Sequence, residues 1–146
     1  MSGGEITGAQ GSNITCIPKI DSTVTEAVWR QRIKDGGFFV KHDPATTTAD
    51  HLGVTGGVAN DATFVGRVIG STGSGDKFRV TVETEGVRGH AQSAVTTGAF
   101  SSSEFGERMK SDANGKLAVD TSLTAGNVFV VGGTKARPLV AWRWAL

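Results

Sequence analysis

Lys77-Phe-Arg-Val-Thr-Val-Glu83 alternates Phe78, Val80 and Val82 against Lys77, Arg79, Thr81 and Glu83. Side chains of a strand point alternately to its two faces, so this heptapeptide predicts a strand with one dry and one wet face. The stretch before it, Gly70 to Asp76, is Gly and Ser with one Thr and one Asp, a turn composition, and Thr63 to Ile69 reads as the partner strand. Toward the C-terminus the layout returns. Val128 to Val131 is a strand, Gly132 to Pro138 a turn, and Leu139 to Leu146 a strand with Val140, Trp142 and Trp144 on one face. The two strand pairs form a weak internal echo. Between them, Asp112-Ala113-Asn114-Gly115 is a hairpin turn, because Asn-Gly accepts the positive φ angles of tight turns, with Arg108 to Ser111 and Lys116 to Val119 as arms. Val87 to Val95 is weakly strand-like, and Thr96 to Glu107, with three consecutive serines, reads as a loop.

Composition agrees with strands and turns. The 146 residues include 21 Gly, 3 Pro, no Tyr and a single Cys, and a length of this order suits one domain. The expected fold class is all-β, a small β-barrel or β-sandwich, with residues 1–20 as a flexible N-terminal arm and 21–146 as a single β-rich domain. Met1 to Ser12 is polar and glycine-rich, and Pro18 restricts the stretch carrying Ile14, Ile17 and Ile20 to an edge strand or extended arm. Thr23 to Lys34 is open between one or two turns of helix, capped by Thr23 with Glu26, and a strand holding Val28 and Ile33. Gly36 and Gly37 end it, Phe38-Phe39-Val40 is a short strand, and a polar loop with Thr46, Thr47 and Thr48 runs to Leu52. Loops of that length are commonly functional or ordered by a neighbour.

The formal charge of +1 lacks the positive field that nonspecific nucleic-acid binding needs, so no direct nucleic-acid contact is expected. No segment approaches the roughly 20 apolar residues of a membrane span, and a soluble chain made in a cytoplasm is expected. A lone Cys16 excludes an internal disulfide and a structural zinc built on two thiol pairs.

Four sets of residues raise chemistry. Gly70 to Lys77 superficially resembles a phosphate-binding P-loop, yet Asp76 precedes the lysine, Phe78 stands where a magnesium-binding hydroxyl belongs, and strand periodicity follows where a helix is needed. A hairpin turn is the better reading. His42, Asp43, Asp50 and His51 could suit a divalent ion, but their spacing matches no established ligand set, and a solvated polar loop is expected. Glu83 and Glu85 share a strand face, where exposed charges account for them without acid–base chemistry. Cys16 and His90 have no evident catalytic partner. No cofactor and no catalytic residue are expected. The bulky residues are more informative: Trp29, Phe38, Phe39, Trp142 and Trp144, with Ile14 and Ile17 of the arm, are candidate interface residues, their alternative role being core packing.

From about Gly57 the chain resembles the small cement or decoration proteins that coat tailed-phage capsids. The resemblance is carried by Phe64-Val-Gly-Arg-Val68, the Gly-Ser turn, Phe78-Arg-Val-Thr-Val-Glu-Thr-Glu-Gly-Val87, Asp112-Ala-Asn-Gly-Lys-Leu117 and the closing Val-rich strands. It implies a structural protein rather than an enzyme, a compact β-barrel or β-sandwich on the capsid exterior of the virion. Such a protein is synthesised in the bacterial host cytoplasm, binds the major capsid protein, bridges its subunits, and commonly forms a homotrimer. The alternative expectations are a carbohydrate-binding β-sandwich or a tail or fibre component, with Trp142 or Trp144 stacking on sugars, and, from a third class, a small hydrolase or metal enzyme using His42 and His51.

Overall fold

A computed structural model of the chain describes residues 12–144. The elements in chain order are β1 (Asn13–Pro18), α1 (Glu26–Asp35), β2 (Phe39–His42), β3 (Leu52–Gly56), β4 (Gly66–Thr72), β5 (Arg79–Glu83), β6 (Glu85–His90), β7 (Met109–Ser111), β8 (Leu117–Val119), β9 (Val128–Gly133) and β10 (Pro138–Arg143). The fold is all-β with one short helix, as expected.

Five strands close into a barrel in the order β1-β3-β2-β4-β5. The alternation in β5 works as its sequence predicts: Val80 and Val82 are fully buried, while Arg79, Thr81 and Glu83 are half-exposed. They meet Cys16, Val40, Val54, Val65, Val68 and Phe78 in the barrel core, and Trp29 enters from α1. The barrel requires a correction at the N-terminus. Residues 13–18 are not an arm: β1 pairs antiparallel with β5, Asn13 to Glu83 through Cys16 to Val80, and parallel with β3, Cys16 to Leu52 through Pro18 to Val54. Pro18 is tolerated because it is the last residue of the strand, where a missing N–H costs little. The rest of the expected arm, through Gly11, lies outside the described residues.

The helical alternative for 23–34 holds, with its cap two residues later than expected and a length of 10 residues, nearly three turns rather than one or two. Asp21 Oδ1 accepts from the backbone N–H groups of Thr23 and Val24, which folds Thr23 into a local turn. Thr25 is therefore the N-cap, accepting from Val28 N at 3.4 Å. Glu26 turns away from a capping box and accepts from Gly75 N at 2.8 Å, while Arg30 donates to Gly73 O at 3.1 Å. These two bonds tie α1 to the β4–β5 turn.

The second unit is a three-stranded antiparallel sheet, β9-β10-β6, with the β7–β8 hairpin beside it. Its core gathers Phe39, Phe64, Ala91, Met109, Leu117, Val128, Val130, Val140 and Trp142. The hairpin turn follows its sequence: Gly115 has φ +76, and Asp112 Oδ1 accepts from Asn114 N and Lys116 N. Both β4–β5 and β9–β10 slip register at the same motif, Val68-Ile69-Gly70 in one and Val130-Val131-Gly132 in the other. This gives the internal echo a geometric form, a bulge in the first strand of each hairpin.

Candidate functional site

Trp142 is the joint between the two units. Its indole N–H donates to Glu83 O at 2.9 Å, its ring meets Phe39 edge-on at 5.0 Å, and the Arg67 guanidinium lies 4.9 Å from its centroid. Two glycines of β6 make room for it. A Cβ at Gly86 would sit 2.4 Å from the indole, and one at Gly89 2.7 Å away. Arg67 is held in turn by Glu83 at 2.9 Å and by His90 O at 3.3 Å.

Above this joint lies an open groove of about 390 Å³, lined by Glu85, Gly86, Val87, Phe129, Ala141, Trp142 and Arg143. Its cause is a bulge: Gly89 pairs with Val140 and Gly86 with Trp142, so Val87 and Arg88 together oppose Ala141. Arg88 accordingly has φ +62, and Val87 is expelled from the sheet with 80% of its surface exposed. Exposed Glu85 and Arg143 face each other at 4.0 Å on the rim. An apolar patch edged by charge, on the end strand of a sheet, is suited to docking another surface.

The sequence candidates distribute differently from expectation. Trp29, Phe38, Phe39 and Trp142 are at most 4% exposed and act as core anchors, which corrects their assignment to an interface. In a chain rich in glycine they supply the bulk that closes both cores. Ile14 and Trp144 are half-buried against the barrel core, and Ile17 is half-buried on β1. The residues that do stand out, Val87 at 80% and Val58 at 53%, were not singled out from the sequence. Gly86 and Gly89 bracketing Val87 were the available signal, a spacing that spoils regular strand pairing.

The chemical candidates resolve into local structure. In the loop 43–51, Thr47 Oγ1 donates to Asp43 O and accepts from Gly53 N, both at 2.9 Å, and His42 Nε2 lies 3.0 Å from the same hydroxyl. Thr46 Oγ1 donates to the Asp43 carboxylate. Among the described residues, no three His, Cys, Asp or Glu side chains assemble as a metal-binding group. In the P-loop-like turn, the Gly75 amide that a phosphate would need is taken by Glu26. Glu83 pairs with Arg67 and Glu85 faces Arg143. Cys16 is fully buried, and desolvation pushes its thiol up to about 12, away from nucleophilic reactivity. His90 Nδ1 is buried without a partner, and burial, then Arg137 and Arg67, lower its pKa. No helix among the described residues is long and apolar enough to cross a membrane.

Comparison with family models, with curated proteins and with solved structures returns no match.

Proposed function

We propose that the protein is a structural virion component, a capsid decoration protein that binds the outer surface of an assembled tailed-phage head and bridges major capsid protein subunits. The observation that carries the reading is the groove at the β6 bulge, where Val87 projects beside Phe129 and Trp142 at the end of a sheet. The sequence resemblance from Gly57 onward motivates the reading. Many copies on one shell, each making modest apolar contacts, would be retained by avidity. Self-association as a homotrimer belongs to the same proposal.

The test is co-sedimentation with purified empty tailed-phage capsids that lack their decoration protein, together with the oligomeric state in solution. Saturable binding to the shell is expected. Failure to bind across a range of salt concentrations would overturn the reading. The sugar-binding alternative needs an open tryptophan platform; Trp142 at 4% exposure does not supply one, and Trp144 is half-buried against the barrel core.

A further inference from the structure

α1 carries Arg32 to the edge of the barrel, where its guanidinium lies 4.1 Å from the Phe38 ring centroid and 4.8 Å from that of Trp29. Nη1 is buried and has no hydrogen-bond partner. Among the described residues, no carboxylate pairs with Arg32. The acids on the surrounding elements are engaged elsewhere. Glu26 holds Arg30 and Gly75, Asp35 accepts from Gln31, Asp61 pairs with Lys41, and Asp112 caps its own turn. Leaving a buried charged donor unmatched is unfavourable, and burial accordingly lowers the Arg32 pKa.

Arg32 also lines a cleft of about 300 Å³ between α1, β3 and the β7–β8 turn, with Val24, Gly56, Gly57, Val58 and Asn114 around it. None of the lining residues is acidic. Nη1 is closed to solvent, but among the described residues Nε and Nη2 are neither buried nor hydrogen-bonded, and that edge of the stacked guanidinium is the one that can grip a carboxylate through two parallel bonds. A single guanidinium balances one negative charge, whereas a phosphate dianion would keep one uncompensated. Val58, 53% exposed on the lip, gives an apolar collar that suits a side chain delivered by a protein surface.

We propose that this cleft receives the carboxylate of an aspartate or glutamate side chain on a partner protein, with Arg32 as its binding residue and Asn114 beside it. The cleft shares no residue with the groove at Val87, and the inference does not depend on what that groove binds.

The experiment titrates the intact protein with N-acetyl-glutamate N-methylamide, following amide resonances and the Trp29 indole N–H. Saturable shifts confined to Gly56, Gly57, Asn114 and Trp29 are expected, absent with the neutral glutamine analogue and with inorganic phosphate. Arg32→Gln should abolish them, and Arg32→Lys should weaken binding by about tenfold through loss of the paired bonds. Arg32 stacks on core aromatics, so Ala113→Glu at the exposed turn provides a second arm. A carboxylate attached there should occupy the cleft, raise the melting temperature and block the mimic. Equal shifts with the glutamine analogue or phosphate, persistence in a folded Arg32→Gln variant, or undiminished mimic binding by the Ala113→Glu protein would overturn the proposal.

Discussion

Phe38 and Phe39 are neighbours in the chain that are buried in different cores. Phe38 packs in the barrel with Trp29, edge-on at 6.1 Å, while Phe39 faces the second core, 5.0 Å from Trp142 and 6.2 Å from Phe64. The alternation of an extended chain thus staples two hydrophobic clusters through one peptide bond. Each ring filling its own core, Phe38→Ala and Phe39→Ala should each destabilise the protein by about 3–5 kcal/mol. Hydrogen exchange should separate them, with faster exchange at Val80 and Val82 for the first variant and at Val130 and Val140 for the second. Identical exchange patterns would show that the two clusters are one.

Gly66 and Gly70 lie on the same strand, β4, and should respond oppositely to a methyl group. A Cβ at Gly66 would sit 2.0 Å from Glu83 O, whereas one at Gly70 meets nothing within 4 Å. Gly66→Ala should therefore cost about 1–3 kcal/mol through backbone displacement, and Gly70→Ala should stay within about 0.5 kcal/mol of the parent in denaturant unfolding. A neutral Gly66→Ala would mean that β4 and β5 are not in close contact there.

The Cys16 thiol should resist iodoacetamide at pH 8 in the native protein and react on unfolding. Burial raises its pKa from 9.0 to about 12, so the folded state holds a proton that the unfolded chain releases. The stability this contributes is intact below pH 9 and is lost as pH rises toward 12. Cys16→Ala should flatten that alkaline decline, and an unchanged slope would assign it to other groups.

His90 runs in the other direction. Burial and two nearby arginines lower its pKa from 6.5, so the unfolded chain binds the proton more readily and stability falls as pH drops below 6.5. A one-dimensional NMR titration should place the His90 imidazole below that value. A midpoint at or above 6.5 would contradict the burial of its Nδ1 beside Arg137 and Arg67.

Val87→Asp should leave the melting temperature nearly unchanged, because the side chain is 80% exposed, and should abolish co-sedimentation with capsids. Undiminished shell binding would move the docking face away from the β6 bulge.

Much of the fold was readable from period and turn chemistry. The β4–β5 and β9–β10 hairpins and the Asn114-Gly115 turn follow directly from alternation and positive-φ residues. β3 was hidden by its two glycines, whose reasons are tertiary. Gly53 lies against the backbone of Thr46 and Thr47, and Gly56 against the Phe38 ring, where a Cβ would come within 2.6 and 2.8 Å. β1 was hidden by Pro18, which reads as an edge signal when its place at the strand end is unknown. The aromatics read as interface residues with core packing as the alternative, because their bulk is legible in the sequence and the direction each ring faces is not. The groove depends on Val87 and Arg88 opposing Ala141, a mismatch between strands far apart in the chain that periodicity within either strand does not reveal.

β1 is the first barrel strand to leave the ribosome, and both of its neighbours come later, β3 at 52–56 and β5 at 79–83. Until Leu52–Gly56 has been made, neither edge of β1 has its native partner strand. A nascent chain that stops before Arg79 therefore leaves open the seam between β1 and β5. Closing loops this long makes folding slow for a chain of this size. Folding and protease resistance should thus be acquired late and together, once Glu83 has emerged to meet Asn13.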